Sequence, residues 1–264
     1  MQYESYDAIT VERRGRILTL TMNRPEQLNA IDQQLHEELS RIFYDVAGDA
    51  ETDVVVFTGA GKAFSAGGDL DWLDAMYGDP KAFARTVWEG KRVINSLLDI
   101  EQPVIARLPG HAIGLGCTLA LFCDIIYAAD TAKIGDPHVS VGLVAGDGGA
   151  VIWPQLIGYP RAKEYLMTGE LIPGPKAAEI GLINRCVPHD DLDGAVREFA
   201  DRLLGGAARA IQLTKMAVNA TLRQLVSANI DTSLAFEELT NNLAEHQEAV
   251  SAFREKRKPA FARG

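Results

Sequence analysis

Over the first two-thirds of the chain, short β-branched runs alternate with longer stretches of helical period. Ile17–Met22 (Ile-Leu-Thr-Leu-Thr-Met) alternates apolar and hydroxyl side chains, the pattern of a half-buried strand. Residues 54–58 (Val-Val-Val-Phe-Thr) form a continuous apolar run, as expected of a strand covered on both faces. Segments 103–106 and 125–128 read the same way, and between these runs Gln33–Ala47, Pro80–Asp99 and 114–123 predict helices. Strands alternating with helices imply right-handed crossovers and a largely parallel sheet, an α/β fold. From about Arg161 the helical period takes over, at 161–167, 175–180, 191–204, 210–226, 232–243 and 248–256. No flexible linker separates the two parts. The expected organisation is an α/β core over 1–190 with a helical region, 191–264, packed on it.

Composition narrows the function classes. Of 264 residues, 47% are hydrophobic and 23% charged, a globular balance that needs neither disulfide nor metal to fold. Acidic residues outnumber basic ones 36 to 26, giving a net charge of −10 and no general footprint for nucleic acid or an anionic membrane. The one dense basic cluster is 254–258 (Arg-Glu-Lys-Arg-Lys), either a solvated helix end or a local anion site. Three cysteines, Cys117, Cys123 and Cys186, form no C-x-x-C pair, which fits a reducing compartment. The first residues show no basic segment followed by an apolar run. The longest uncharged stretch, 108–123, holds a proline and three glycines and is too short to span a bilayer. The expectation is a cytoplasmic protein.

Two glycine-rich segments carry the strongest chemical signal. Residues 59–69 (Gly-Ala-Gly-Lys-Ala-Phe-Ser-Ala-Gly-Gly-Asp) follow the apolar strand at 54–58 and precede a helical segment. They contain neither a phosphate-loop signature nor G-x-G-x-x-G. Residues 109–118 (Pro-Gly-His-Ala-Ile-Gly-Leu-Gly-Cys-Thr) follow the strand at 103–106 and open a helix. Glycines let the backbone approach a ligand closely, and a helix start presents unpaired N–H groups. Two such loops can supply two N–H donors to one developing oxyanion.

The order of these segments is similar to the enoyl-CoA hydratase/isomerase (crotonase) superfamily nearly end to end. The resemblance rests on Asn23-Arg-Pro-Glu-Gln-Leu-Asn-Ala30, Lys62-Ala-Phe-Ser-Ala-Gly-Gly-Asp-Leu70 and Gln102-Pro-Val-Ile-Ala106. It continues through His111-Ala-Ile-Gly-Leu-Gly-Cys117, Cys123-Asp-Ile-Ile-Tyr-Ala-Ala129, Ala177-x-Glu-Ile-Gly-Leu-Ile-Asn184 and 252–261. It implies a spiral of ββα units with a helical C-terminal trimerisation region, assembled as a homotrimer or hexamer. It further implies a coenzyme A thioester whose carbonyl sits between the N–H groups of Gly68 and Leu115. The CoA contacts it implies come from Arg24, Gln27, Lys62, Ala66 and Asp69, with Phe253 and Lys256 reaching a CoA phosphate from the same or a neighbouring subunit. No metal and no cofactor beyond the CoA of the substrate is implied.

The chain departs from that pattern where the chemistry lies. Hydratases of the family carry one glutamate after the Gly-Cys of the second loop and another in a Gly-x-Pro-Glu motif; here Thr118 and His138 occupy those places. Threonine has no useful basicity at neutral pH, whereas imidazole titrates near it. Asp147 lies nine residues beyond His138 at an expected helix start, so it is either an N-cap or a carboxylate partner for the imidazole. The run Pro137-His-x-x-x-Gly-x-Val-x-Gly-Asp-Gly-x-x-Val-x-Trp-Pro154 resembles the branch of the superfamily that cleaves β-diketones by a retro-Claisen route, and Glu237 loosely matches a further acidic residue of that branch. His111 reads as structural, and the spacing of His111, Cys117, Cys123 and His138 matches no zinc pattern. Three readings stay open: an acyl-CoA hydratase or isomerase in which His138 and Asp147 replace the two glutamates; a carbon–carbon hydrolase of a small 1,3-dicarbonyl; and a non-catalytic acyl-CoA-binding subunit.

Overall fold

The computed structural model describes residues 3–261. The outermost residues of the two expected regions, 1–2 and 262–264, lie outside the described residues. In chain order the elements are β1 (Ile9–Arg14), β2 (Ile17–Met22), α1 (Gln33–Ala47), β3 (Val54–Gly59), α2 (Leu70–Ala75), α3 (Pro80–Asp99), β4 (Val104–Leu108), β5 (Ala112–Ile113) and α4 (Leu115–Leu121). They continue with β6 (Ile125–Ala129), β7 (Lys133–Gly135), α5 (Gly149–Ile157), α6 (Tyr159–Thr168), β8 (Ile172–Pro173), α7 (Gly174–Glu179), β9 (Arg185–Val187), α8 (Leu192–Leu204), α9 (Ala208–Asn241) and α10 (Ala244–Arg254).

The main sheet has the order β1-β2-β3-β4-β6-β9. Only β1 runs antiparallel to its neighbour β2; the other pairings are parallel. A second, three-stranded sheet of β5, β7 and β8 stands beyond the C-terminal ends of the central strands. The turns that start at β4 and β6 each add a long strand, a short strand and a helix, β4–β5–α4 and β6–β7–α5.

All six residues of β3 are buried, because helices cover both faces of the sheet. On one face Phe43 of α1, Phe57 of β3 and Phe64 pack edge to face, with centroids 5.3 and 5.2 Å apart. On the other face Ile17, Val54, Val56 and Ile105 lie under Leu192, Val196 and Ala200 of α8.

Helix starts are set by local chemistry. Asp32 accepts the Leu35 N–H at 2.9 Å to cap α1. Asp79 accepts from Lys81 and Ala82 to cap α3, with Pro80 in its first turn. From Leu192 onward all regular elements are helices. The sequence pattern suggested separate helices at 210–226 and 232–243, but the structure has one, Ala208–Asn241, of 34 residues. The polar stretch between them contains neither glycine nor proline, so nothing interrupts the backbone ladder. Lys215 fastens this long helix to the sheet: its buried ammonium meets Asp124 Oδ2 at 2.7 Å and the Gln102 carbonyl at 2.9 Å. Among the described residues no helix is long and apolar enough to cross a membrane.

Candidate active site

The two glycine-rich loops are stitched together by backbone hydrogen bonds. Phe64 N–H and Ser65 N–H donate to His111 O at 3.0 and 3.1 Å, and Ile113 N–H donates to Ser65 O at 3.0 Å. The buried Ser65 hydroxyl donates to Asn29 O and accepts the Gly67 N–H, which fixes the turn of the first loop. Gly116 must be glycine, since a Cβ there would lie 2.5 Å from Ser65 Cβ. This stitching brings Gly68 and Leu115 to the wall of one cavity. Among the described residues neither N–H donates to a protein acceptor. Leu115 is the first residue of α4, where the N–H has no helical partner.

The cavity has two parts. The outer cleft, about 580 Å³, runs from Ala66–Asp69 past Gly114 and His138 to Phe253, Arg254 and Lys256 of the same chain. The inner pocket, about 60 Å³, is walled by apolar side chains such as Trp72, Phe83 and Leu234, and also by His36, His138, Asp147 and Glu237. Gly68, Leu73 and His138 face both parts.

His138 stands at the junction with both ring nitrogens engaged. Nδ1 is hydrogen-bonded to Asp136 Oδ1, and Nε2 lies 3.6 Å from Asp147 Oδ2. Asp147 Oδ1 accepts the Thr118 hydroxyl at 3.0 Å and the Gly149 N–H at 3.4 Å. Of the two roles the sequence left open, Asp147 takes the second: it faces the imidazole, while the N-cap of α5 is Gly148 and the Asp147 carboxylate reaches only the Gly149 N–H at 3.4 Å. Close backbone approach makes room for this cluster. A Cβ on Gly146 would come 2.7 Å from Glu237 Oε2, and one on Gly149 would overlap Asp136 Oδ2.

Charge and burial set the protonation states. Burial opposes a charged imidazole, but the carboxylates of Asp136 and Asp147 outweigh it and hold His138 well above its ordinary value. Burial raises Asp147, while the nearby imidazolium counteracts it. Burial also pushes Glu237 up to about 8, so at neutral pH it is mostly the uncharged acid. Asp147 Oδ2 and Glu237 Oε2 are buried with no hydrogen-bond partner. Asp136, His138 and Asp147 bring ligand-type atoms within 4.8 Å of one another, but His138 Nδ1 is already taken by Asp136.

The other residues singled out in the sequence divide by position. Ala66, Gly68, Asp69, Phe253 and Lys256 line the outer cleft, and Leu115, Asp147 and Glu237 line the inner pocket. Arg24, Gln27 and Lys62 are not among the lining residues. The Arg24 guanidinium is held by Asp32 at 2.9 Å, with Asp69 at 3.8 Å. His111 serves as a strut, its Nδ1 accepting the Lys133 N–H at 3.0 Å. Sequence reasoning missed Asp136, which looks like the free position of Gly-x-Pro-His. It also missed His36, whose Nδ1 is paired with the buried Glu89 at 2.9 Å on the far wall of the inner pocket. No local pattern marks either: His36 stands among Gln33, Gln34, Glu37 and Glu38, and Asp136 between Gly135 and Pro137.

The profile of the family described as "Enoyl-CoA hydratase/isomerase" matches residues 12–264. The chain belongs to the enoyl-CoA hydratase/isomerase family. It is 33% identical over 256 residues to the short-chain-enoyl-CoA hydratase of Clostridium acetobutylicum, a match that covers 95% of each chain. Among solved structures, an enoyl-CoA hydratase/isomerase from Mycobacterium paratuberculosis superposes with a TM-score of 0.89 at 36% identity, covering 92% of this chain and 97% of the other. A β-diketone hydrolase from the cyanobacterium Anabaena, bound to (S)-3-oxocyclohexyl acetic acid, superposes with a TM-score of 0.85 at 31% identity. That match covers 91% of this chain and 96% of the hydrolase. The chain is thus a crotonase-superfamily enzyme in which Thr118 and His138 stand where the sequence pattern of hydratases has glutamates, with the carboxylates of Asp136 and Asp147 against the imidazole.

Proposed function

We propose that this enzyme runs acid–base chemistry on an acyl-CoA thioester, with Asp147 and His138 as the working pair and hydration of a short 2-enoyl group as the reaction. The observation that carries this reading is the placement of His138 and a partnerless carboxylate oxygen of Asp147 beside the two unpaired N–H groups of Gly68 and Leu115. The thioester oxygen accepts from Gly68 and Leu115. Asp147 Oδ2 takes a proton from water as its oxygen bonds to the β-carbon, and charge moves onto the thioester oxygen as an enolate. His138, charged at rest, returns a proton to the α-carbon, and the proton on Asp147 restores it. The sum is one water added across the double bond.

The outer cleft suits the CoA moiety. Arg254 and Lys256 offer cations at its rim, beside Phe253, on a chain whose net charge is −10. Asp69 and Ala66 line the same cleft. Arg24, Gln27 and Lys62 would contact CoA only outside the cleft described here. The reaction requires no metal and no cofactor beyond the CoA of the substrate. A cytoplasmic homotrimer or hexamer, with a core over 1–190 and an oligomerisation region over 191–264, completes the reading.

A second reading has its own support. The likeness to the β-diketone hydrolase and the presence of Glu237 in the inner pocket favour cleavage of a small 1,3-dicarbonyl. In that case water activated at the same pair attacks one ketone, the bond to the intervening carbon breaks, and the enolate that leaves is held by Gly68 and Leu115. Offering the purified protein crotonyl-CoA and a cyclic 1,3-diketone in parallel, with mass-spectrometric detection, separates the two. Gain of one water on an intact thioester supports the hydratase; a ring-opened keto acid supports the hydrolase. Turnover of neither, with binding of the thioester, would favour a non-catalytic subunit.

A further inference from the structure

Nothing in the motif Gly135-Asp-Pro-His138 marks its aspartate, yet the structure hydrogen-bonds that carboxylate to the His138 ring. We propose that Asp136 is a positioning residue for His138: its buried carboxylate holds Nδ1, sets the plane and charge of the ring, and leaves Nε2 as the nitrogen that meets Asp147 and the cavity. The proposal rests on the reading of His138 as the acid–base group.

Three independent observations carry it. First, Asp136 is buried and reaches His138 twice, through Nδ1 and through the His138 backbone N–H at 3.4 Å, both to the same oxygen. A side chain bonded to the ring and to the backbone of one residue limits rotation about both its χ angles. Second, the neighbouring chain is shaped to leave this carboxylate room. Gly149 opens α5 with no positive φ, so any residue could adopt its backbone, yet a Cβ there would collide with Asp136 Oδ2. Third, the groups that act on the imidazole charge are acidic: Asp136 from one side, Asp147 from the other, and Glu237 from α9. His36 shares the inner pocket but is paired with Glu89, Arg254 and Lys256 line the outer cleft, and among the described residues no lysine or arginine lines the inner pocket. Replacing the Asp136 carboxyl therefore takes away one of the two carboxyls that favour the protonated ring, and it frees the ring to turn.

The test follows the ring itself. His138 is one of five histidines, so its imidazole resonances can be assigned by comparing isotope-labelled wild type with His138→Gln. Asp136→Asn keeps the shape and removes the charge. It should lower the titration midpoint of His138 by about one pH unit or more. It should also move the alkaline limb of the turnover profile down by the same amount. Gly149→Ala provides a second variant, which crowds the carboxylate away without deleting a polar group, and it should shift the midpoint in the same direction. Asp136→Glu, which retains the charge, should lie nearer wild type than Asp136→Asn. A midpoint that stays within about 0.3 pH units of wild type in both Asp136→Asn and Gly149→Ala, in protein that still unfolds cooperatively, would overturn the proposal. If the midpoint moves but His138→Gln retains full turnover, Asp136 does position the ring and the acid–base reading of His138 is what fails.

Discussion

Glu237 offers a test of the site's electrostatics that needs no substrate. Its Oε2 is buried with no partner, and burial raises the carboxyl from 4.5 to about 8. Between those two values the folded chain holds a proton there that the unfolded chain releases. The sign follows: the raised value makes the stabilising contribution complete below pH 4.5 and removes it as pH rises to about 8. At about 1.4 kcal/mol for each pH unit, the window is worth on the order of 5 kcal/mol. Glu237→Gln keeps the size and the neutral form of this side chain, so it should match wild type near pH 5 and exceed it by several kcal/mol at pH 8 to 9. For a chain of 264 residues that is roughly 10 °C in Tm. Thermal unfolding of both proteins from pH 5 to 9, followed by circular dichroism, measures it. Two Tm curves that run parallel across that range would show that Glu237 ionises like a surface carboxylate, and the account of Glu237 as an uncharged acid at neutral pH would fall with it.

Two further outcomes test other parts of the structure. Lys215→Met removes the buried cation that faces the partly buried Asp124 and should destabilise the chain by about 3–5 kcal/mol, read as loss of Tm; a change below about 1 kcal/mol would mean that α9 is held by packing alone. Lys256→Ala, at the rim of the outer cleft, should raise KM for a CoA thioester by about 5-fold with little effect on kcat, and leave KM for an uncharged diketone unchanged; equal effects on both substrates would remove the CoA phosphate from that rim.

The sequence was most legible where local chemistry and tertiary burial agree. Helices α1 and α3 start and stop where the pattern places them, because Asp32 and Asp79 cap them and their apolar stripes face the same core. The strand at β3 reads plainly because both of its faces are covered. Helix α9 looks like two in the sequence because the stretch between 226 and 232 interrupts the apolar period, although no residue in it stops a helix. At the site, the glycines of both loops signal a close backbone approach, and the substitution of His138 and Thr118 for glutamates shows in the alignment of motifs alone. Asp136 was invisible for a different reason. Its role comes from a side-chain contact over two residues, and no periodicity records where such a side chain turns. The pair of His36 and Glu89 is hidden by its separation along the chain: α1 and α3 must pack before the two side chains meet. The nine-residue span between His138 and Asp147 permitted contact, but the distance of 3.6 Å comes from the fold, through Thr118 and the glycine turn at 146–149.

The most direct test of the central claim is the rate of water addition to crotonyl-CoA by wild type and His138→Ala, followed as the appearance of the hydrated thioester by mass spectrometry. Wild type should form that product with the thioester intact, and His138→Ala should be slower by about 100-fold or more. A folded His138→Ala variant that hydrates crotonyl-CoA at the wild-type rate would contradict the assignment of acid–base chemistry to His138.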